Sequence, residues 1–174
     1  MSEILKLKSP ADFIGKQGKG VISFGSGQPD LPPPKEAFEG IDLKRDLRYG
    51  LIQGEQNLRE ALTHEYPGST PENFVITNGA SEALDLIFRV WGKGGKVLVP
   101  RPYYYSYPPI IQLAGMIPVY TDLRDGRIDL ADFKRKIRGC RAVLINSPSN
   151  PTGRVEDIET LKEIERISAK LGVA

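Results

Sequence analysis

Asn146-Ser147-Pro148-Ser149-Asn150-Pro151-Thr152-Gly153 follows directly on the apolar run Ala142-Val143-Leu144-Ile145. The run has the length and composition of a buried strand. The residues after it are Asn, Pro, hydroxyl side chains and a Gly, which is loop chemistry with tightly fixed backbone angles. Pro151 removes a backbone donor and pushes Asn150 out of the helical region, so the Asn150 side chain is held in a near-rigid place. In an open α/β sheet, ligands sit in the crevice beyond the carboxyl ends of the strands. Asn150 is therefore a candidate ligand residue; a Pro-stiffened connector between strand and helix is the plainer alternative.

Upstream, strand and helix alternate from Phe74 onward. Phe74-Val75-Ile76-Thr77 reads as a buried strand running into Asn78-Gly79-Ala80-Ser81. A helix follows, with Ala83, Leu84, Ile87, Phe88 and Trp91 on one stripe. Strand, Gly-containing turn and helix N-terminus together make an anion site, because first-turn amides point outward and the helix dipole favours a phosphate. Ser81 adds a hydroxyl there, or merely caps the helix. Gly92-Lys93-Gly94-Gly95 breaks that helix, and Lys96-Val97-Leu98-Val99 forms the next strand. It closes on Pro100-Arg101-Pro102-Tyr103-Tyr104-Tyr105-Ser106-Tyr107-Pro108, whose tyrosines offer a platform for a flat ring.

Further elements are a helix over 109–114, a strand over 117–121, a helix over 130–137 capped by Asp129, and a final helix over 156–171. Nearer the N-terminus, Leu58, Ala61 and Leu62 mark a helix from Glu55, ended by Pro67-Gly68. Residues 1–20 read as an arm with a short helix near Pro10–Ile14, followed by the brief alternation Val21-Ile22-Ser23-Phe24. The glycines of Gly25-Ser26-Gly27-Gln28-Pro29-Asp30 permit close approach of a ligand to the backbone, and a plain turn is equally compatible. The pattern is an α/β fold with a mostly parallel sheet covered by helices.

Composition narrows the class. The chain has 174 residues, 40% hydrophobic and 26% charged, with 24 Lys and Arg against 22 Asp and Glu. A net charge of +2 gives no global field for nucleic acid or an acidic membrane. The basic run from Lys134 to Arg141 reads as a solvated helix end. Cys140, the only cysteine, permits no intrachain disulfide and favours a cytoplasmic setting; its neighbours Gly139 and Arg141 mark a loop residue rather than a nucleophile. Neither an export signal nor a membrane span is expected. His64, the only histidine, is expected on a solvated helix face, and no metal site is expected.

Five stretches occur in the order found in one known family. They are Gly27-Gln28-Pro29-Asp30; Tyr49-Gly50 with Gly54 and Leu58-Arg59-Glu60-Ala61; Thr77-Asn78-Gly79-Ala80-Ser81-Glu82-Ala83-Leu84; Pro100-Arg101-Pro102-Tyr103-Tyr104 with Tyr107; and Asn146 to Gly153. From Gly25 onward the chain resembles the class I/II (fold type I, aspartate aminotransferase-like) pyridoxal-phosphate-dependent aminotransferases.

That resemblance implies pyridoxal 5'-phosphate as cofactor, amino acid and 2-oxo acid as substrates, and a homodimer. It makes Ala80 and Ser81 the phosphate-binding amides, Tyr104 the ring-stacking residue and Asn150 the donor to the ring's phenolic oxygen. Tyr49 becomes the tyrosine that reaches the partner subunit's phosphate, and Gly27 a backbone donor to the substrate carboxylate. Gln28 departs from an acidic residue common in the family. Residues 1–46 are expected to be an arm and part of the small domain, and residues 47–174 the first part of the cofactor-binding large domain.

The family's Schiff-base Lys, its Asp on the pyridine nitrogen and its distal substrate Arg have no counterpart in these residues; Lys93 and Lys96 fall in a turn. Chemistry needs the first two, as electron sink and as anchor with proton shuttle. The expectation is an incomplete large domain: an amino-terminal half, inactive alone, that works with a complementary carboxy-terminal half. Decarboxylation on the same cofactor, and a non-catalytic piece that binds cofactor or dimerises, stay open at this level.

Overall fold

The computed structural model describes residues 31–42, 44, 48–91 and 94–174. Expectations for Pro10–Ile14, Val21–Phe24, Gly27 and Lys93 lie outside these residues. By internal contacts the chain divides into two units, Met1–Gly50 and Leu51–Ala174. In the first unit, helix α1 is a single exposed turn, Glu36–Glu39.

The second unit is built on strand β1, Lys96–Pro100, so Lys96 opens a strand, opposite Ile117, rather than lying in the expected turn; Val97, Leu98 and Val99 are fully buried. Strand β2, Ile117–Thr121, pairs in parallel on one flank, with Leu98 opposite Val119. Strand β5, Ala142–Val143, pairs in parallel on the other, with Leu98 opposite Val143. Such strands, covered on both faces, read as continuous apolar runs, which is why they were visible in the sequence. Ala174 also lies beside β5: Val143 N–H donates to its carbonyl at 2.8 Å and its own N–H donates to Arg141 at 3.1 Å, the pattern of a parallel neighbour.

Alternation along the strands feeds two cores. Leu98 meets Phe133 of helix α5 (Leu130–Lys136), its C-cap residue Ile137, and Ile164 and Ile167 of helix α6 (Ile158–Leu171). Val97 and Val99 meet Phe88 and Ile111 of helices α3 (Gly79–Trp91) and α4 (Tyr107–Leu113). Each fully buried apolar side chain contributes roughly 1.5–3 kcal/mol. The result is a helix–sheet–helix sandwich.

Local chemistry sets the helix ends. Asp129 accepts from the Ala131 and Asp132 amides to open α5, and Asp157 accepts from Thr160 N–H to open α6. Gly172, at φ +64°, closes α6. Lys134, Arg135 and Lys136 occupy the last turn of α5 as the dipole prefers, and Lys134 ties α5 to Glu163 of α6 at 2.9 Å. Cys140 is buried; burial pushes its thiol pKa up, and it donates to the Lys136 carbonyl. His64 is exposed in the last turn of helix α2, Gln56–Glu65.

Three expectations need correction. Phe74–Thr77 forms no strand; apart from the local ties Phe74 N–H to Pro71 and Gly79 N–H to Thr77, its backbone bond is Ile76 N–H to the Gln53 carbonyl, 2.8 Å. Neighbours β2 and β5 already occupy both flanks of β1, and no ladder partner for Phe74–Thr77 occurs among the described residues. The α3 stripe is also split: Phe88 is buried and Leu84 packs beside it, whereas Ile87 is 43% and Trp91 46% exposed. Ile87, Leu86, Val90, Trp91 and Val75 line an open apolar groove of 420 Å³. On α2, Leu58 and Ala61 are exposed and Arg59 is the buried residue. Its guanidinium donates to the Gly54 and Pro71 carbonyls and to Gln53 and Gln56, so a hydrogen-bonded cation takes the buried place expected for an apolar stripe.

One element is absent from the sequence reading. Strands β3 (Leu123–Arg124) and β4 (Arg127–Ile128) form an antiparallel hairpin turning on Asp125 and Gly126, both at positive φ.

Candidate cofactor site

The parallel register of β1 with β5 sends the loop after Pro100 and the loop after Val143 out of the same sheet edge. Tyr104 lies on the first and Asn150 on the second. The tyrosines do not act as one platform. Tyr103 stacks on Tyr120 of β2 at 5.1 Å and 17°, with Arg101 over the Tyr120 ring at 5.9 Å. Burial, then the bond to Tyr103, pushes the Tyr120 phenol up to about 12. Tyr104 instead stands half-buried between Tyr105, at 4.6 Å, and the edge of Tyr107, at 5.5 Å. Burial and the neighbouring Tyr104 raise the Tyr107 phenol as well.

Asn150 is exposed on a loop tied to itself. Asn146 Oδ1 accepts from Asn150 N–H at 2.8 Å, Ser149 N–H reaches the Arg154 carbonyl at 2.8 Å, and Ser147 Oγ accepts from Glu156 N–H at 3.0 Å. The Ser147–Pro148 and Asn150–Pro151 peptides are both cis. A small cavity of 20 Å³ under this loop is shared by Tyr103, Tyr107, Asn150, Arg154 and Glu156. Arg154 Nε and Glu156 Oε2 are buried there without a hydrogen-bond partner. The sequence reading passes over Asn146, Arg154 and Glu156. Only Asn146 left a signal, an Asn at a strand end that tends to bond the backbone after it.

Ala80 and Ser81 are exposed in the first turn of α3, where helix geometry leaves amides without a carbonyl one turn back. Gly79 takes φ +77°, a conformation that favours glycine. Glu82 folds back onto the main-chain and side-chain amides of Asn78, just before these positions. The inner face of α3 joins Tyr103 and Tyr107 in one core cluster through Leu84 and Phe88. Tyr49 is fully exposed in the first unit. Among the described residues no group of metal-ligating side chains occurs, and no helix is long and apolar enough to cross a membrane.

A helix–sheet–helix sandwich with an aromatic loop and an Asn-Pro loop at one parallel edge defines an α/β ligand-binding domain. The sequence model described as "Aminotransferase class I and II" matches residues 19–173, so the chain belongs to that family. Pyridoxal phosphate is the family's cofactor. The chain is 33% identical to the probable aspartate/prephenate aminotransferase of Aquifex aeolicus, over 99% of this chain and 47% of that protein. It is 32% identical to the aspartate aminotransferase of Bacillus sp. strain YM-2, over 96% of this chain and 46% of that protein. Among solved structures, the Thermus thermophilus aspartate aminotransferase with maleate superposes with a TM-score of 0.84 at 28% identity, covering 99% of this chain and 49% of that one. The Pyrococcus furiosus alanine aminotransferase gives 0.77 at 30% identity, covering 98% and 48%. The chain spans about half the length of the curated relatives it matches.

The residues present fit the cofactor by donor chemistry: helix-terminal amides suit a phosphate, a half-buried Tyr ring suits a pyridine face, and an exposed Asn amide suits a phenolate oxygen.

Proposed function

We propose that this chain is the cofactor-gripping amino-terminal part of an aminotransferase that moves an amino group between an amino acid and a 2-oxo acid. The observation that carries the reading is the Leu98–Val143 register, which puts the Tyr104 and Asn150 loops at one edge. Family membership supports the chemistry. Residues 1–46 supply an arm and part of the small domain, and residues 47–174 the first part of the large domain.

When bound, pyridoxal phosphate supplies a ring that withdraws the electron pair released at the substrate's α-carbon. The residues of this chain bind and orient. Ala80 and Ser81 amides hold the phosphate, with α3's dipole behind them. Tyr104 covers one ring face and excludes water from it. Asn150 donates from Nδ2 to the phenolic oxygen and stabilises its anionic form. Gly27 donates its amide to the substrate carboxylate, and Tyr49 reaches the phosphate of a partner protomer in a homodimer. The lysine that anchors the cofactor and the Asp at the ring nitrogen come from the other half of the length that the relatives carry, so the chain alone is inactive.

Reduction with borohydride tests this. The purified chain is mixed with pyridoxal phosphate, reduced, and modified lysines are mapped by mass spectrometry. No specific modification is expected alone, and one on a lysine of the complementary half is expected once that half is added. A single stoichiometric modification on this chain's own lysine, with transamination, would overturn the reading.

A further inference from the structure

We infer that Asn146 is a positioning residue for Asn150. The inference rests on the reading of Asn150 as a cofactor ligand and extends it to the residue that holds it. Asn150 is exposed, so packing does not fix it. Its main-chain amide is instead donated to Asn146 Oδ1 at 2.8 Å, a contact closing the loop over four residues. Asn146 is a sound anchor: it is half-buried at the end of the apolar run that begins with β5, and the preceding Leu144 N–H is tied to the Leu98 carbonyl at 2.9 Å.

The other loop ties hold different residues. Ser147 Oγ accepts from the Glu156 amide, and Ser149 N–H donates to the Arg154 carbonyl. They set the loop's exit toward α6, and Gly153 N–H holds the Ser149 carbonyl of the same peptide at 2.6 Å; Asn146 is the acceptor for the Asn150 N–H itself. Without that acceptor, Asn150 keeps its side chain and the Gly153 tie on its peptide but loses its link to the residue at the sheet edge. A ligand bond that depends on angle weakens when its donor can swing. Asn146 thus acts at one remove, needing no contact with cofactor.

Three measurements on the 174-residue chain test this. The first is amide hydrogen exchange at Asn150, read by NMR. Asn146→Ala is expected to raise the exchange rate about ten-fold with an unchanged thermal midpoint, and Asn146→Asp, which keeps the acceptor, to restore protection. The second is a double-mutant cycle on pyridoxal phosphate affinity. Asn146→Ala is expected to weaken binding about five-fold, Asn146→Asp to stay within about two-fold, and Asn146→Ala with Asn150→Ala to bind no worse than Asn150→Ala alone. The pH at which the bound cofactor's absorption changes should move the same way in Asn146→Ala and Asn150→Ala. Unchanged exchange in Asn146→Ala, or additive losses of affinity, would overturn the inference. If Asn150→Ala leaves pyridoxal phosphate affinity unchanged, the role of Asn150 fails and so does any effect of Asn146 on the cofactor. The exchange data then decide separately whether Asn146 holds Asn150.

Discussion

The Asp132 carboxylate accepts from the Thr121 hydroxyl at 3.0 Å, joining α5 to the end of β2 inside the protein. The same oxygen takes the Asp122 amide at 3.1 Å, and Lys136 stands 2.9 Å away. Burial alone would raise this carboxyl; Lys136 and the two hydrogen bonds outweigh it and hold its pKa at about 2. A folded pKa below the unfolded one gives stability that is full above roughly pH 4–5 and lost as pH falls toward about 2. Urea unfolding across that window should show the loss, and Asp132→Asn should flatten it. Asp132→Ala should cost roughly 2 kcal/mol at neutral pH, because it leaves the buried Thr121 hydroxyl and the Asp122 amide without their acceptor.

Gly54 and Gly68 separate strain from collision. Both have positive φ, +100° and +87°. A Cβ on Gly54 would lie 2.6 Å from Ile76 Cβ, whereas one on Gly68 meets nothing within 4 Å. Gly68→Ala should cost about 1 kcal/mol through backbone conformation alone, and Gly54→Ala at least about twice that. Equal losses by denaturant titration would contradict the contact.

Tyr103 and Tyr104 should part company when truncated. Tyr103 stacks on Tyr120 within the core cluster, so Tyr103→Ala should cost about 2 kcal/mol of stability. Tyr104→Ala should leave stability nearly unchanged and weaken pyridoxal phosphate binding about five- to ten-fold. The check is thermal unfolding and cofactor titration on the same two variants.

Most of the sheet was legible because buried parallel strands are apolar runs with turn residues at their ends, as in Lys96–Val99 and Ile117–Thr121. Caps were legible too, since Asp129 stands just before an apolar-periodic segment. What failed depended on partners. Phe74–Thr77 has strand composition, but a strand exists only where a ladder meets it. Ile87 and Trp91 are spaced for burial, yet spacing does not say what covers a helix face. The β3–β4 hairpin was missed because two-residue strands carry no periodicity, although Asp125-Gly126 is a strong turn pair. At the candidate site, residue types pointed to the tyrosine loop and to Asn150, and only the family resemblance chose Tyr104 among the tyrosines. The sharing of roles between Tyr103 and Tyr104, and the clasp of Asn146 on Asn150, depend on directions that composition does not encode.

The groove formed by Val75, Leu86, Ile87 and Val90 leads to a further expectation. Exposed apolar surface of this extent favours association. Light scattering should show the chain self-associating as concentration rises, and Val90→Lys with Ile87→Lys should reduce it without loss of helix. A strictly monomeric parent chain at high concentration would contradict this.

Because Leu98 faces one helical layer while Val97 and Val99 face the other, β1 is a party wall. Neither room can be gutted while it stands. A cavity cut on one side removes support from residues whose neighbours face the opposite side. Damage at Phe133 should therefore loosen the amides around Ile111, and the two layers should melt together.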